Sequence, residues 1–78
     1  MIAVVYLEWQ DSAGADSVWS EDADIKPAMI MSAGLLVKED PDAVVLATSI
    51  DDNDPPKYDG LLAIPQTAIT RRTNLGMV

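Results

Sequence analysis

The chain contains no cysteine, histidine or phenylalanine, and the first two absences each remove a class of chemistry. Without cysteine there can be no disulfide and no thiol chemistry. Without histidine, Cys/His zinc sites and histidine-based acid–base catalysis are excluded. No phosphate-binding glycine loop or nucleophile elbow is present either. We therefore expect a protein that is not an enzyme and that uses neither a cofactor nor a metal ion.

Basic residues are also scarce: five Lys and Arg face 13 Asp and Glu, which gives a formal net charge of −8. An acidic balance disfavours nonspecific contact with phosphate or with an anionic membrane. The apolar start of the chain, residues 1–7, has no preceding positive charge, and Glu8 ends it far short of a spanning helix. We expect a cytoplasmic protein without a membrane partner.

The length of 78 residues predicts a single domain over 1–78, with its core at about 2–73. A domain this small leaves much of its surface exposed and is often stabilised by partner chains. The apolar fraction is 49%, more than one small barrel is expected to bury, so the surplus predicts a subunit interface. The residues assigned to that interface are Val44, Leu46, Ile64 and Ile69.

Apolar alternation and β-branched content predict five short strands and no convincing helix. The predicted strands cover 2–9, 29–39, 44–50, 60–64 and 68–73. Gly34 inside the second strand predicts a bulge or a sharp bend. Asp40-Pro41-Asp42-Ala43 has the residues of a type I turn.

The segments between the strands are polar. Residues 10–26 form an acidic loop that contains Trp19, with one short helical turn expected near Ser20. Residues 65–67 predict a single 3₁₀ turn before the last strand, and 74–78 a frayed tail. The pattern as a whole predicts an all-β fold, a small, strongly bent, five-stranded antiparallel barrel.

Two stretches carry a family resemblance: GLLVKEDPDAVVLA at 34–47 and GLLAIPQTAI at 60–69. The order of bent strand, tight turn, strand, loop, strand, 3₁₀ link and short strand resembles the Src-homology-3-type small barrel and its Sm-like relatives. The combination SAGLLVKEDPDAVVLA, GLLAIP and AI is also similar to small acidic proteins encoded by bacteriophages, for which the location would be the host cytoplasm. The resemblance covers roughly residues 28–72.

Sm-like resemblance implies a homo-oligomeric ring, of about five to seven copies, that binds RNA or DNA through two loops near the pore. Those loops would be 39–43 and 64–67, but the Asn of the first is replaced here by Ala43 and Val44, and the Arg-Gly of the second by Pro65-Gln66. The candidate nucleic-acid-binding residues are Arg71, Arg72, Gln66 and Lys38. The alternative for the two arginines is that they pair with the chain's own carboxylates.

Other residue groups have a structural interpretation that we prefer to a functional one. Asp51, Asp52 and Asp54 lack the spacing of a calcium-binding loop, because Pro55 and Pro56 follow them. Glu39, Asp40 and Asp42 flank an exposed turn, where a catalytic pair of carboxylates is not expected.

For the aromatic and sulfur-containing side chains we also prefer a structural to a functional interpretation. Trp9, Trp19 and Tyr58 are expected to pack in the core or at its rim rather than stack on bases. Met29 and Met31 are expected in core or interface rather than in an adaptable binding groove.

Three functions remain open at this stage. The first is a ring-forming, non-enzymatic binding module that takes nucleic acid. The second is an acidic inhibitor or decoy, in which surface carboxylates mimic a phosphate backbone and occupy a nucleic-acid-binding protein. The third is a structural or assembly component of a particle.

Overall fold

The computed structural model describes residues 1–11 and 26–78, and these form seven strands and one 3₁₀ turn. The strands are β1 (Ala3–Asp11), β2 (Ala28–Glu39), β3 (Ala43–Ala47), β4 (Ser49–Ile50), β5 (Tyr58–Asp59), β6 (Leu62–Pro65) and β7 (Ile69–Met77). The 3₁₀ turn, Gln66–Ala68, connects β6 to β7. The predicted all-β class is confirmed, as is the 3₁₀ turn before the last strand.

Five of the strands form one antiparallel sheet in the order β6-β3-β2-β1-β7, and β4 and β5 form a separate two-stranded pair. The two outer strands of the sheet, β6 and β7, are consecutive in the chain. No pairing between them is present in the described part of the chain, so closure into a barrel stays a prediction.

Strand β2 changes partner along its length. Its first eight residues pair with β1, from Asp11↔Ala28 to Val4↔Leu35, and four of its last five pair with β3 on the opposite edge. Within the described pairings of β2, only Leu35 has a partner on both sides. This offset joins the two halves of the sheet through one long strand.

Of the two predictions for Gly34, the bulge lies elsewhere in β2 and the sharp bend stays a prediction. The register of β2 is unbroken at Gly34, and the extra residue of a bulge is Val37, between Leu36↔Leu46 and Lys38↔Val45. A Cβ at position 34 would lie 2.9 Å from the Ala47 carbonyl oxygen and 3.2 Å from the Leu46 Cβ. Glycine is therefore required because β3 approaches closely, and the prediction of a bulge at this residue is wrong by three positions.

The core lies on one face of the sheet. It consists of Val5 and Leu7 from β1, Val44 and Leu46 from β3, and Ile64 from β6. Trp9 packs against its border, and its indole Nε1 donates a hydrogen bond of 3.0 Å to the Ser32 hydroxyl. The prediction that Trp9 packs at the rim is confirmed.

The chain end is part of the sheet rather than a frayed tail. Strand β7 continues to Met77, and Val78 exchanges two backbone hydrogen bonds with Ile2, of 2.7 and 2.8 Å. The prediction for 74–78 is wrong because the pairing is with residues 69 to 76 positions earlier, which no local pattern encodes. The predictions for Trp19, for the helical turn near Ser20 and for most of the loop 10–26 lie outside the described residues. No helix among residues 1–11 and 26–78 is long and apolar enough to cross a membrane.

Candidate interaction surfaces

The predicted 40–43 turn is built around the Asp40 carboxylate. Its Oδ1 accepts backbone hydrogen bonds from Asp42, at 2.8 Å, and from Ala43, at 2.9 Å. The Lys38 ammonium lies 3.7 Å from the other carboxylate oxygen. These backbone donors are the main reason that the pKa of Asp40 is held below its ordinary value. The turn is confirmed, and its aspartate has a structural role.

Three of the four candidate nucleic-acid-binding residues converge on this acidic turn. Arg72 donates to Glu39 Oε2 at 2.6 Å, and the Gln66 side-chain amide donates to the same oxygen at 3.3 Å and to the Asp40 carbonyl at 3.0 Å. With Lys38 beside Asp40, the set connects β7 and the 3₁₀ turn to the end of β2. The backbone nitrogen of Gln66 also donates to the Asp42 carbonyl, at 2.9 Å.

The electrostatics of this cluster follow from its hydrogen bonds. The bond from Arg72, followed by that from Gln66, lowers the pKa of Glu39. A carboxylate with a lowered pKa stays ionised and holds its cation. The Arg72 guanidinium is thus directed at the protein itself, as the alternative interpretation of the arginine pair expects.

Arg71 lies on the opposite face of the sheet from Arg72. It is directly across from Glu8 on β1, next to the Tyr6–Thr73 pair. Partial burial, with the Glu8 carboxylate as the next contribution, raises the pKa of Tyr6 above its ordinary value. The two arginines that are adjacent in the sequence therefore do not form one patch, because successive strand residues point to opposite faces.

The predicted subunit-interface residues are mostly interior. Val44 and Ile64 have no exposed surface and Leu46 has 3%, while Ile69 is partly buried against the same cluster. Val44, Leu46 and Ile64 fill the core of the chain itself, so an interface at these positions would have to form through the backbone of their strands. Their assignment to a subunit interface stays a prediction, since apolar content alone does not distinguish a core face from a contact face.

The apolar surplus is exposed at other positions. Met29 is 57% and Met31 74% exposed, so neither is a core residue. Both lie on the face of β2 opposite the core, across from Gln10 and Glu8. Other exposed apolar side chains of the described residues are Leu61, Leu62, Leu75, Met77 and Val78.

The loop between β4 and β5 carries the densest acidic surface in the described residues. Asp51 organises it: one carboxylate oxygen accepts from the backbone of Lys57 at 2.8 Å and of Asn53 at 3.2 Å, and the other accepts from the Asn53 side chain at 2.8 Å. The Lys57 backbone donor is the first cause of the lowered pKa of Asp51. Donors of the loop itself thus satisfy both carboxylate oxygens of Asp51.

The other carboxylates of this loop point to solvent. Asp52, Asp54 and Asp59 are exposed, as is Tyr58, at 43%. Within residues 1–11 and 26–78, no group of three or more acidic side chains is arranged to hold a metal ion. Of the two positions predicted for Tyr58, core or rim, the core is excluded by this exposure. The side chain lines a shallow depression between β4 and β5 together with Ile50 and Lys57.

Comparison with known proteins adds no assignment, since no family model, curated protein or solved structure matches the chain. The site residues are thus defined by geometry alone. Sequence reasoning missed two features, the convergence of Lys38, Gln66 and Arg72 on Glu39-Asp40 and the exposure of the first half of β2. An ion pair such as Arg72–Glu39, whose residues are 33 positions apart, gives no local signal in the sequence. The exposed face of β2 does give one, since Met29, Met31 and Ala33 alternate along one face of the strand.

Proposed function

We propose that the chain is a non-enzymatic binding module whose acidic surface docks on a basic face of another protein, such as the face with which that protein binds nucleic acid. The observation that carries the proposal is the internal use of the cations. Arg72 and Lys38 are paired with Glu39 and Asp40, and Arg71 lies across from Glu8. Phosphate would have to compete with Glu39 and Asp40 for Arg72 and Lys38.

The segment 51–59, from the β4–β5 loop to the end of β5, supports the same choice of partner. It holds four carboxylates and one ammonium, so that −4 and +1 leave −3. All of these side chains are exposed. A fixed cluster of carboxylates raises the local concentration of a cationic partner and repels a polyanion. Tyr58, in β5 of the same segment, offers an exposed aromatic side chain, and aromatic residues are enriched at protein interfaces.

The test compares two probes that carry opposite charge. A fluorescent peptide of about ten lysines and a labelled single-stranded oligonucleotide are titrated with the protein at low salt, and anisotropy is recorded. We expect binding of the peptide and none of the oligonucleotide. Because any protein of charge −8 attracts a polycation weakly, the location of the binding must be tested as well.

Two matched double variants test where on the protein the peptide binds. The first, Asp52→Asn with Asp54→Asn, removes two charges from the loop without touching Asp51. The second, Asp11→Asn with Asp42→Asn, removes two charges elsewhere. We expect the loop variant to weaken peptide binding by about three- to tenfold and the other variant by less than about twofold, since exposed pairs contribute about 0.2–1 kcal/mol each. Equal losses would mean that net charge alone attracts the peptide, and would contradict a site at the loop.

A ring that binds nucleic acid is the second candidate, favoured by the two outer strands of the sheet. Among the described residues, β6 and β7 each pair with one neighbour only. Pairing of β6 of one copy with β7 of the next would be a heterologous contact that can close into a ring. Its test is the solution mass by light scattering, which should correspond to about five to seven copies.

The nucleic-acid part of this candidate has its own test. Replacing Arg71 and Arg72 by Ala should lower affinity uniformly across oligonucleotide sequences, as loss of phosphate contacts does. Absence of any binding to the wild-type protein at low salt would exclude this candidate and leave the protein-binding module.

A further inference from the structure

The first half of β2 is a strand edge with an unpaired side. Residues 28–34 pair with β1, and in the described part of the chain no strand lies against their other side, because β3 begins its pairing only at Leu35. Such an edge presents a row of backbone donors and acceptors that another strand can use. The edge is seven residues long, which exceeds the four of β6.

The other edges of the sheet are protected in ways that this one is not. Strand β6 ends in Pro65. Strand β7 carries two charged residues, Arg71 and Arg72. It also has two register shifts in its pairing with β1, at Thr70 and at Leu75. Charges, prolines and bulges are the devices by which natural sheets prevent edge-to-edge pairing. Residues 28–34 read AMIMSAG, with no charge and no proline, and their pairing with β1 has no register shift.

The side chains of this edge are complementary to themselves. If two copies of 28–34 run antiparallel about Met31, Met29 lies opposite Ala33 and Ile30 opposite Ser32. Each of these pairs places a large side chain against a small one, and directly opposite residues share a face of the sheet. A register centred on Ile30 would instead oppose Met29 to Met31, and one centred on Ser32 would leave part of the free edge unused.

Charge also permits two acidic copies to meet here. Among residues 1–11 and 26–78, the carboxylate paired directly with the centre is Glu8, which is across from Met31 on β1. In the paired arrangement the two copies of Glu8 would be three strand spacings apart, about 14 Å. That separation exceeds the Debye length of about 8 Å at physiological ionic strength, so their repulsion is largely screened.

We propose that two copies of the chain form a twofold dimer by antiparallel pairing of residues 28–34, centred on Met31. The result is a continuous sheet in which the exposed methionines of both copies, Met29 and Met31, lie side by side and shield one another. The contact differs from the β6–β7 contact of a ring, and it does not depend on the acidic loop or on any ligand.

The first test is the solution mass by light scattering at micromolar concentration. We expect twice the chain mass of 8.4 kDa, unchanged between low and high salt. Met31→Lys would place two ammonium groups against each other at the centre and should give the single-chain mass. Met77→Lys, at another exposed methionine, should leave the dimer intact. Circular dichroism verifies that both variants are folded, as expected for side chains that are 74% and 53% exposed.

The second test uses the absence of cysteine, which makes a single introduced thiol a clean probe. Met31→Cys should form an intermolecular disulfide under mild oxidation, because its two copies face each other. Met29→Cys should not, since its two copies would be four residues apart along the strands, about 13 Å. A single-chain wild-type mass would overturn the proposal and mean that another strand covers this edge. Equal cross-linking of the two cysteine variants would also overturn the proposal. The same holds for a wild-type mass of about five to seven copies that the substitution Met31→Lys leaves unchanged.

Discussion

Replacing Gly34 by Ala tests whether the close approach of β3 to β2 determines this residue. The backbone at position 34 is an ordinary strand conformation, since among the glycines of residues 1–11 and 26–78 only Gly60 and Gly76 have positive φ. A Cβ there would lie 2.9 Å from the Ala47 carbonyl oxygen, closer than such atoms are normally found. Because that oxygen belongs to the backbone of a paired strand, the strand itself must move. The substitution should therefore be unfavourable although alanine is otherwise preferred to glycine in a strand.

Two opposing contributions set the expected magnitude. Alanine lowers the entropy of the unfolded chain and should stabilise the fold by about 0.5–1 kcal/mol. Overpacking of a well-packed site costs about 1–3 kcal/mol. The net result is a destabilisation of about 0.5–2 kcal/mol, and each kcal/mol corresponds to a fall of about 4–8 °C in Tm for a domain of this size.

The assay is urea denaturation followed by tryptophan fluorescence, which reports on Trp9 at the border of the core. Ala63→Gly is the matched control, because position 63 is an exposed alanine within β6 and lies outside residues 28–34. Its loss of stability measures the entropic contribution alone, which can then be subtracted. If Gly34→Ala proved as stable as the wild type or more so, the close approach would not constrain this residue, and the steric explanation would have to be abandoned.

Three further predictions concern the core, the ion pair and the turn. Leu7→Ala should destabilise the fold by about 2–5 kcal/mol, as for other buried leucines. Leu75→Ala, at a 58% exposed side chain, should change the stability little. Similar losses of stability for the two variants in denaturation would contradict the assigned core. Because Glu39 has a lowered pKa in the fold, its contribution to stability is complete above its ordinary value of 4.5 and is lost as the pH falls through the lower folded value. Stability measured at a series of acidic pH values should therefore fall less steeply in Glu39→Gln than in the wild type, and identical slopes would refute a functional Glu39–Arg72 pair. Asp40→Ala should lower Tm more than Asp42→Ala, since only Asp40 accepts the two backbone hydrogen bonds of the turn; equal shifts would contradict this role.

Local sequence was sufficient for the elements whose causes are local. The turn at 40–43 needs an aspartate whose carboxylate reaches backbone donors two and three residues ahead, followed by a proline with the required φ, and both are written in the sequence. The alternation in 29–36 similarly predicted a strand with Met29 and Met31 on one face. What alternation did not indicate is which face would be covered, so these methionines were expected in core or interface.

The candidate site was harder to predict because its contacts are distant in the sequence. Arg72 and Glu39 are 33 positions apart, and their pairing depends on β7 and the end of β2 being brought together by the sheet order. The adjacency of Arg71 and Arg72 suggested one cationic patch. The pleat of β7 places them on opposite faces, where Arg72 contacts Glu39 and Arg71 lies across the strands from Glu8.

The sequence by itself determined the all-β class, the tight acidic turn, the 3₁₀ link and the absence of cysteine and histidine chemistry, because these follow from residue type and short-range spacing. Only the tertiary structure decided that Val44, Leu46 and Ile64 are core and that the end of the chain pairs with its beginning. The same holds for residues 28–34, which pair on one side only within the part of the chain that the structure describes. Those outcomes depend on which strands become neighbours and where each pairing starts, and the hydrogen bonds that fix this join residues far apart in the chain.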